Sequence, residues 1–362
     1  MNNITTNRIY RAIGLMSGTS LDGVDVAYVE TDGYGYVVAQ GFHYMPYDGA
    51  LRARIRACFG ATAMTDMIAD VERDLTLAHA IAIQDFLVNK KIAPQDIDVV
   101  GFHGQTISHD PAKRFTWQLG DGALLAREIG IDVVYDFRSA DVKAGGQGAP
   151  LIPVYHAALT AASNLHAPVA ILNIGGVSNV TWIGEGTDNI LAFDCGAGNA
   201  LMDDVVLKVT GDKCDWDGKL AQAGNVDQDV LSQWLSHPYF DIAPPKSLDR
   251  GAWDIQIISD FLLQDAVATL TAFTVQSIAK AVAHFPAPVG AWYVTGGGRL
   301  NPAVMTGLQE ALGVPVLPVD ALGWNGDALE AEGFAYLAVR SLLGLPLSFP
   351  RTTGVPNPYK GG

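Results

Sequence analysis

The 362-residue sequence is short of several things, and each shortage excludes a class of protein. Its three cysteines, Cys58, Cys195 and Cys214, are odd in number and match no metal-ligand spacing, so neither a disulfide framework nor a cysteine metal site organises the chain. Free thiols of this kind suit a reducing cytosol. Positive charge is scarce: 23 Lys and Arg stand against 38 Asp and Glu, for a formal charge of -15. That balance argues against nucleic acid or an anionic membrane as the main partner, and an anionic ligand would need a local basic pocket. No run approaches the ~18 apolar residues of a membrane span, and residues 1–10 are polar, without an apolar signal core. No low-complexity segment, inter-domain linker or disordered tail stands out. The expectation is a soluble, cytoplasmic protein.

What the chain has in quantity is apolar residues, 49%, and glycine, 39 residues spread along the length. This suits a globular α/β protein with many tight turns, and the length suggests two lobes. Strand-like runs at 8–15, 24–31 and 35–44 form a meander. Met64, Ile68, Val71, Leu75, Ala78, Ala82 and Phe86 then recur at helical spacing. A strand at 97–102, a short helix at 123–128, a strand at 131–135 and a helix at 150–162 complete the order βββαβαβα. The second half repeats it, with strands at 168–174, 177–183 and 189–193, a helix from Asn199 and a long one over 253–284. A strand at 289–294, a helix at 301–312, a strand at 314–318 and a helix at 327–343 follow. We expect a first lobe of residues 1–135 with 344–362, and a second of 136–343, with a polar insertion at 211–250 at the mouth of a cleft.

The stretch that organises the chain is Asn189-Ile190-Leu191-Ala192-Phe193-Asp194-Cys195-Gly196-Ala197-Gly198-Asn199. An apolar run ends in a carboxylate, a glycine turn follows and a helix begins, which places Asp194 at the carboxyl end of a strand. Ligands of open α/β sheets bind at that edge, where glycines let backbone N–H groups approach a phosphate. Asp194 is there a base, a metal ligand or a helix cap. An unperturbed aspartate, with a pKa of about 3.9, is already ionised at neutral pH, so as a base it needs aim more than tuning.

Two hairpins carry small donors at parallel places in the two halves: Ser17-Gly18-Thr19-Ser20, and Gly175-Gly176 with Ser178 and Asn179. Such turns let N–H groups converge on an anion. A third turn, Gly296-Gly297-Gly298-Arg299-Leu300-Asn301-Pro302, ends a strand and opens a helix, and its bare backbone permits a planar group such as adenine to lie against it. Other nucleotide motifs fail. Gly218-Lys219-Leu220 lacks the spacing and hydroxyl of a P-loop, and Gly196-Ala197-Gly198-Asn199-Ala200-Leu201 lacks the third glycine of a dinucleotide fingerprint. A dehydrogenase remains the runner-up on that last motif, and a chaperone-like ATPase or another sugar or carboxylate kinase are further alternatives.

Five motifs in order carry a family resemblance that runs from about Ile13 to Ala338. They are Gly14-Leu15-Met16-Ser17-Gly18-Thr19-Ser20-Leu21-Asp22-Gly23-Val24-Asp25, Gly101-Phe102-His103-Gly104-Gln105-Thr106, Leu172-Asn173-Ile174-Gly175-Gly176-Val177-Ser178-Asn179, residues 193–203 and residues 294–302. Together they resemble anhydro-N-acetylmuramic acid kinases. The resemblance implies an α/β, two-lobed actin/hexokinase/Hsp70-like (ribonuclease H-like) fold with ATP between the lobes. It also implies a reaction in which ATP and water convert 1,6-anhydro-N-acetylmuramic acid to N-acetylmuramic acid 6-phosphate and ADP during peptidoglycan recycling.

By the same resemblance Asp194 is the catalytic base, and Glu330 is a second carboxylate that orients water or sugar. Gly18, Thr19, Ser20, Leu21, Asp22, Gly23, Val24 and Asp25 form the ATP loop, with Thr19, Ser20 and Asp22 at the γ-phosphate or Mg²⁺. Gly175, Gly176, Gly296, Gly297 and Gly298 complete the nucleotide site. Gly104, Gln105, Thr106 and Asp121 meet the sugar, His103 makes a structural hydrogen bond, and Arg127, Arg138 or Lys143 meets the lactyl carboxylate. The resemblance allows a homodimer. The chain departs from the pattern at Cys195, where Thr is commoner, at Ala197, often Pro, and at Leu248-Asp249, commonly Thr-Gly.

Overall fold

Alternation of apolar and polar residues between glycine turns makes the first three strands of each half an antiparallel meander. The computed structural model describes residues 8–186, 189–248 and 252–362. The first half runs β1 (Tyr10–Ser17), β2 (Gly23–Thr31), β3 (Val37–Pro46), α1 (Gly49–Ala57), α2 (Asp66–Lys90), β4 (Val99–Asp110), β5 (Phe115–Leu119), α3 (Gly122–Ile129), β6 (Val133–Tyr135), α4 (Ser139–Lys143) and α5 (Pro153–Ala162). The second runs β7 (Val169–Ile174), β8 (Val177–Ile183), β9 (Ile190–Ala197), α6 (Ala200–Thr210), α7 (Lys219–Ala223), α8 (Gln228–Leu235), α9 (Leu263–Lys280), β10 (Trp292–Thr295), α10 (Pro302–Leu312), β11 (Val316–Pro318) and α11 (Leu329–Leu342).

In both sheets the fourth main strand returns, through helices, to lie parallel beside the first. The first sheet has the order β3-β2-β1-β4, and the second the order β9-β8-β7-β10-β11. A parallel return of this kind requires a crossover, which the helices provide. The duplicated βββαβαβα core is therefore present, and the fold is of the actin/hexokinase/Hsp70-like type. Within the first sheet β4 changes partner along its length. Val100–Phe102 pair with β6, and Gln105 to Asp110 pair with β5. His103, Gly104, Gln105 and Thr106 thus lie inside one long strand and not at its end. Gly104 takes a φ of +71°, a left-handed conformation that suits glycine, where the strand changes partner.

The chain divides into one unit that ends at Asn164 and regains Ala328–Gly362, and a second of Leu165–Asp327. These limits differ from the expected 135/136 and 343/344, and side-chain packing is the reason. Helix α11 lies against β1 and β4, where Gly14 and Gly101 leave room; a Cβ on either would strike the backbone carbonyl of Ala331 or Phe334. Tyr155 of α5 donates a 2.6 Å hydrogen bond to Glu332 of α11, and Ile152 packs on Gly333. Burial pushes the Glu332 carboxyl up to about 7, and the Tyr155 hydroxyl partly opposes this. Both α5 and α11 thus bury their faces in the first unit, although the sequence order places α11 after the second sheet.

The second unit has a core of Leu172, Val180, Phe193, Phe273 and Trp292 under α9. Residues 211–248, expected as a polar insertion, contribute to that core. Trp234, Tyr239 and Phe240 are buried, with Trp234 and Trp253 at ring distances of 5.2 and 5.1 Å from Phe273. Helix α9 and its 3₁₀ extension, Leu263–His284, are long and apolar enough by composition to cross a membrane, which the sequence reading did not find. Polar residues interrupt the apolar run, and 67% of its most apolar window is buried in the protein, as for a core helix. The expected helix over 253–284 is regular only from Leu263. Asp249 and Arg250, part of the motif that departs from the family pattern, lie outside the described residues.

Candidate active site

In the first unit the turn between β1 and β2 divides its residues between frame and surface. Leu21, at φ +59°, is fully buried, and Gly23 and Val24 are also buried. Thr19, Ser20 and Asp22 are exposed, and Gly18 and Asp25 are half-buried. The Asp22 carbonyl accepts from the Tyr47 N–H and the Tyr44 hydroxyl, both at 3.0 Å, and Arg52 reaches the Ser20 carbonyl at 3.2 Å. The turn is therefore fixed at its base and presents two hydroxyls outward, together with the Asp22 carboxylate, which lies 3.5 Å from the Arg52 guanidinium.

A pocket of about 250 Å³ opens beside Gly104 in the same unit, lined among others by Glu72, His103, Trp117, Gln118, Asp136 and Ser139. Of the residues expected at the sugar, Gly104 lines it. Gln105 is fully buried and accepts a 2.6 Å bond from Ser17, which in turn accepts from Tyr47. Thr106 accepts from the Gln118 amide at 3.2 Å. Asp121 caps α3 by accepting from the Leu124 N–H at 2.9 Å. Three of the four thus sit in the pocket's frame.

His103 is buried and hydrogen-bonded at both nitrogens, to the Gly104 carbonyl at 2.8 Å and to Arg138 Nε at 3.0 Å. The second bond requires Nε2 to accept, so Nδ1 carries the proton. Burial and the Arg138 charge hold its pKa well below the usual range, and the imidazole is neutral. Arg138 also donates to the Gly148 carbonyl at 2.7 Å. Burial lowers its pKa to about 10, and Glu330 and Asp141 oppose that. Glu330, in the first turn of α11, has its own pKa raised by burial and lowered in part by Arg138. Of the three basic candidates Arg138 alone is partly buried in this cluster; Arg127 and Lys143 are exposed.

In the second unit the sequence-distant glycine turns come together. The Gly175 carbonyl accepts from the Asn199 N–H at 2.7 Å, and that of Gly176 from the Gly198 N–H at 3.1 Å. Asn199 donates from its side chain to the Ile174 carbonyl at 3.0 Å and leaves the start of α6 without a side-chain cap. A Cβ on Gly296 would strike Asn173 Oδ1 and the Ile174 backbone, and one on Gly298 the Ile174 side chain. Gly175, Gly176, Gly296, Gly297 and Gly298 therefore border one patch of bare backbone beside the first turn of α6. That combination suits an anionic ligand.

Asp194 lies three residues before the end of β9, so the strand extends further than its sequence suggests. In the sheet register Asp194 pairs with Asn179, Asn179 with the residue neighbouring it on β7, Asn173, and Asn173 with Thr295 on β10. Register partners share a face, so four polar residues form a row across the sheet, turned away from the α9 core that takes Phe193 and Cys195. Asp194 Oδ2 accepts from the Leu248 N–H at 2.8 Å. Its own N–H donates to the Lys246 carbonyl at 3.1 Å, and its carbonyl accepts from the Tyr239 hydroxyl at 2.6 Å. Burial raises the carboxyl pKa from its ordinary value to about 7, against the pull of the Leu248 N–H. The expectation of an unperturbed aspartate is thus corrected: the low-dielectric wall around it opposes ionisation. Cys195 and Ala197, the departures on this strand, are buried, Cys195 in the core on the other face.

A family model described as anhydro-N-acetylmuramic acid kinase matches residues 10–362. The chain belongs to that family. A relative named anhydro-N-acetylmuramic acid kinase from Paramagnetospirillum magneticum is 54% identical over 97% of this chain and 98% of its own. One of the same name from Rhizorhabdus wittichii is 50% identical over 97% of each chain. Among solved structures, Acidaminococcus fermentans (R)-2-hydroxyglutaryl-CoA dehydratase component A aligns over 92% of this chain and 99% of its own at 15% identity, with a TM-score of 0.48. By its family and these relatives the protein is a sugar kinase. Asn173, Asn199, Tyr239, Lys246 and Leu248 were not singled out from the sequence as site residues. Only the motifs that contain the first two and the last two gave a signal, since the contacts that matter are made across many residues of chain.

Proposed function

We propose that the protein uses ATP and water to open 1,6-anhydro-N-acetylmuramic acid and phosphorylate it, giving N-acetylmuramic acid 6-phosphate and ADP, as a step of peptidoglycan recycling. The observation that carries this reading is Asp194: half-buried, aimed by one N–H and poised near neutral pH, beside a bare glycine patch in a chain of this family. Its carboxylate takes a proton from water as the water oxygen bonds the anomeric carbon. The bond from that carbon to O6 breaks, and O6 attacks the γ-phosphorus as ADP leaves. A positioned base contributes about 10²–10⁴-fold, most when its pKa lies near the working pH.

The remaining roles follow from chemistry. Gly175, Gly176 and Gly296 to Gly298, with the α6 terminus, hold the nucleotide, and the hydroxyls of Thr19 and Ser20 donate to phosphate. Mg²⁺ is typically held by one or two carboxylates together with phosphate oxygens, so the exposed Asp22 fits it without a dedicated cage. The ion would neutralise charge on the transferring phosphoryl group. The pocket at Gly104 takes the sugar, with Trp117 as an apolar wall and Gln105, Thr106 and Asp121 as its frame. Arg138 meets the lactyl carboxylate. Two of its five N–H donors are used by His103 and Gly148, and Glu330 shares its field while orienting water or sugar.

ADP release from Mg-ATP, measured with and without 1,6-anhydro-N-acetylmuramic acid, tests this reading. Stimulation by the sugar with formation of the 6-phosphate is expected. Equal turnover without sugar overturns the substrate assignment.

A further inference from the structure

The Gly296–Gly298 turn is followed by a buried arginine, Arg299. Arg299 has a side chain only 4% exposed, yet it makes two ion pairs: Nε with Asp320 Oδ2 at 3.0 Å, and Nη1 with Asp327 Oδ1 at 2.9 Å. Nη1 also donates to the Gly296 carbonyl at 3.1 Å. The guanidinium thus bonds the first glycine of the turn and two carboxylates at once.

The segment that supplies those carboxylates is tied to the same turn a second time. Thr295, immediately before the glycines, donates to the Gly326 carbonyl at 2.9 Å, and a Cβ on Gly326 would overlap the Arg299 guanidinium. Gly326 therefore allows the close approach, and Arg299 fills the space. Gly296 itself takes φ +75° and ψ 176°, a conformation with a steric cost for other residues, and its carbonyl accepts both from the Arg299 backbone N–H at 3.3 Å and from the guanidinium at 3.1 Å, the shorter of the two. Burial alone would lower the guanidinium's pKa, and the Asp327 and Asp320 carboxylates more than reverse this, so the charge is retained.

We propose that Arg299 is a positioning residue for ATP: braced by Asp320 and Asp327, it fixes the Gly296 carbonyl and so the bare surface of the glycine turn on which the nucleotide's base lies. The inference rests on the nucleotide assignment of that turn. It does not depend on the identity of the sugar. Arg299 acts in this proposal through the turn, with its donors committed to Gly296, Asp320 and Asp327, so its loss acts on nucleotide affinity and not on the chemical step.

The test compares the native protein with Arg299→Met, Arg299→Lys and Asp327→Asn. ATP affinity is read by calorimetry without sugar, and KM for ATP, KM for the sugar and kcat are read in the coupled assay. One charge-assisted hydrogen bond to the turn corresponds to about tenfold in affinity. Arg299→Met is therefore expected to raise both the Kd and the KM for ATP about tenfold, with kcat at saturating ATP and the KM for sugar within about threefold. Arg299→Lys keeps a charge but not the fork, and recovers part of the loss. The carboxylates are 51% and 61% exposed, so Asp327→Asn is expected to act weakly and only at low salt. An unchanged ATP affinity in Arg299→Met, or a fall in kcat with ATP affinity retained, overturns the proposal. If Arg299→Met does not fold, an Arg299→Lys variant that folds and binds ATP as the native protein does overturns it equally. Should the native protein bind ATP but fail to act on the sugar, the substrate reading fails while the calorimetric comparison still decides this one.

Discussion

Replacing Asp194 by Asn removes the proposed base and keeps its shape, and the pKa of about 7 makes two linked effects calculable. On activity, only the ionised carboxylate accepts a proton, so kcat/KM of the native protein should fall below an apparent pKa near 7. A base at an ordinary aspartate pKa would place that acid limb near pH 4. Asp194→Asn should lower kcat by about 10²–10⁴-fold above pH 7 and abolish the limb, so that the gap to the native protein narrows as pH falls. On stability, a folded pKa raised above the unfolded value means that the folded state binds the proton more tightly. The associated stabilisation is full below about pH 4 and is lost as pH rises from there through 7. With a rise of about three units at 1.36 kcal/mol each, ionised Asp194 costs up to about 4 kcal/mol above pH 7, an upper bound for a half-buried group. Asp194→Asn does not pay this cost. Its melting temperature should match that of the native protein near pH 4 and exceed it increasingly up to pH 7, by about 2–4 °C for each kcal/mol. The assays are the pH profile of ADP release and thermal unfolding across the same range. An acid limb near pH 4, together with equal melting temperatures at pH 8, would refute the reasoning.

Leu248→Thr introduces the residue commoner in the family, but Asp194 uses only the backbone N–H of this position. Activity within about twofold is expected by steady-state kinetics, while the lost packing of Leu248 on the core should cost about 1 kcal/mol in urea unfolding. Gly296→Ala forces a Cβ into Asn173 and the Ile174 backbone at a left-handed φ, so nucleotide-induced thermal stabilisation should be lost. Gly101→Ala drives a methyl into the Phe334 carbonyl of α11 and should destabilise the first unit by about 1–3 kcal/mol or more in denaturant unfolding.

Much of the fold is legible in local pattern. The α10 start is one case: Asn301 caps Ala303 and Val304, and Pro302 occupies the first turn, as the Asn-Pro pair after three glycines leads one to expect. Helix α2 follows its apolar spacing, with Thr65 as cap and Ile68, Val71, Leu75 and Phe86 buried. The β4 reading failed where a strand trades one neighbour for another, since pairing partners leave no local trace. Helix α11 packs in the first unit and not in the second, where its sequence order points, for a related reason. Its apolar face fits the first sheet only because Gly14 and Gly101, hundreds of residues upstream, leave room for its backbone.

The sequence by itself determined the duplicated element order, the glycine turns and the strand that bears Asp194, because backbone geometry and apolar periodicity are properties of neighbouring residues. Tertiary structure alone decided what those residues can do chemically. It brought the Gly175-Gly176 turn against the Gly296–Gly298 turn, partly buried Arg138 while leaving Arg127 and Lys143 exposed, and gave Gln105 and Asp121 framework bonds. It also set the Leu248 N–H against the Asp194 carboxylate and lifted its pKa to about 7. Hydrogen-bond direction and desolvation depend on what surrounds a side chain in space, and those surroundings come from segments the sequence does not place side by side.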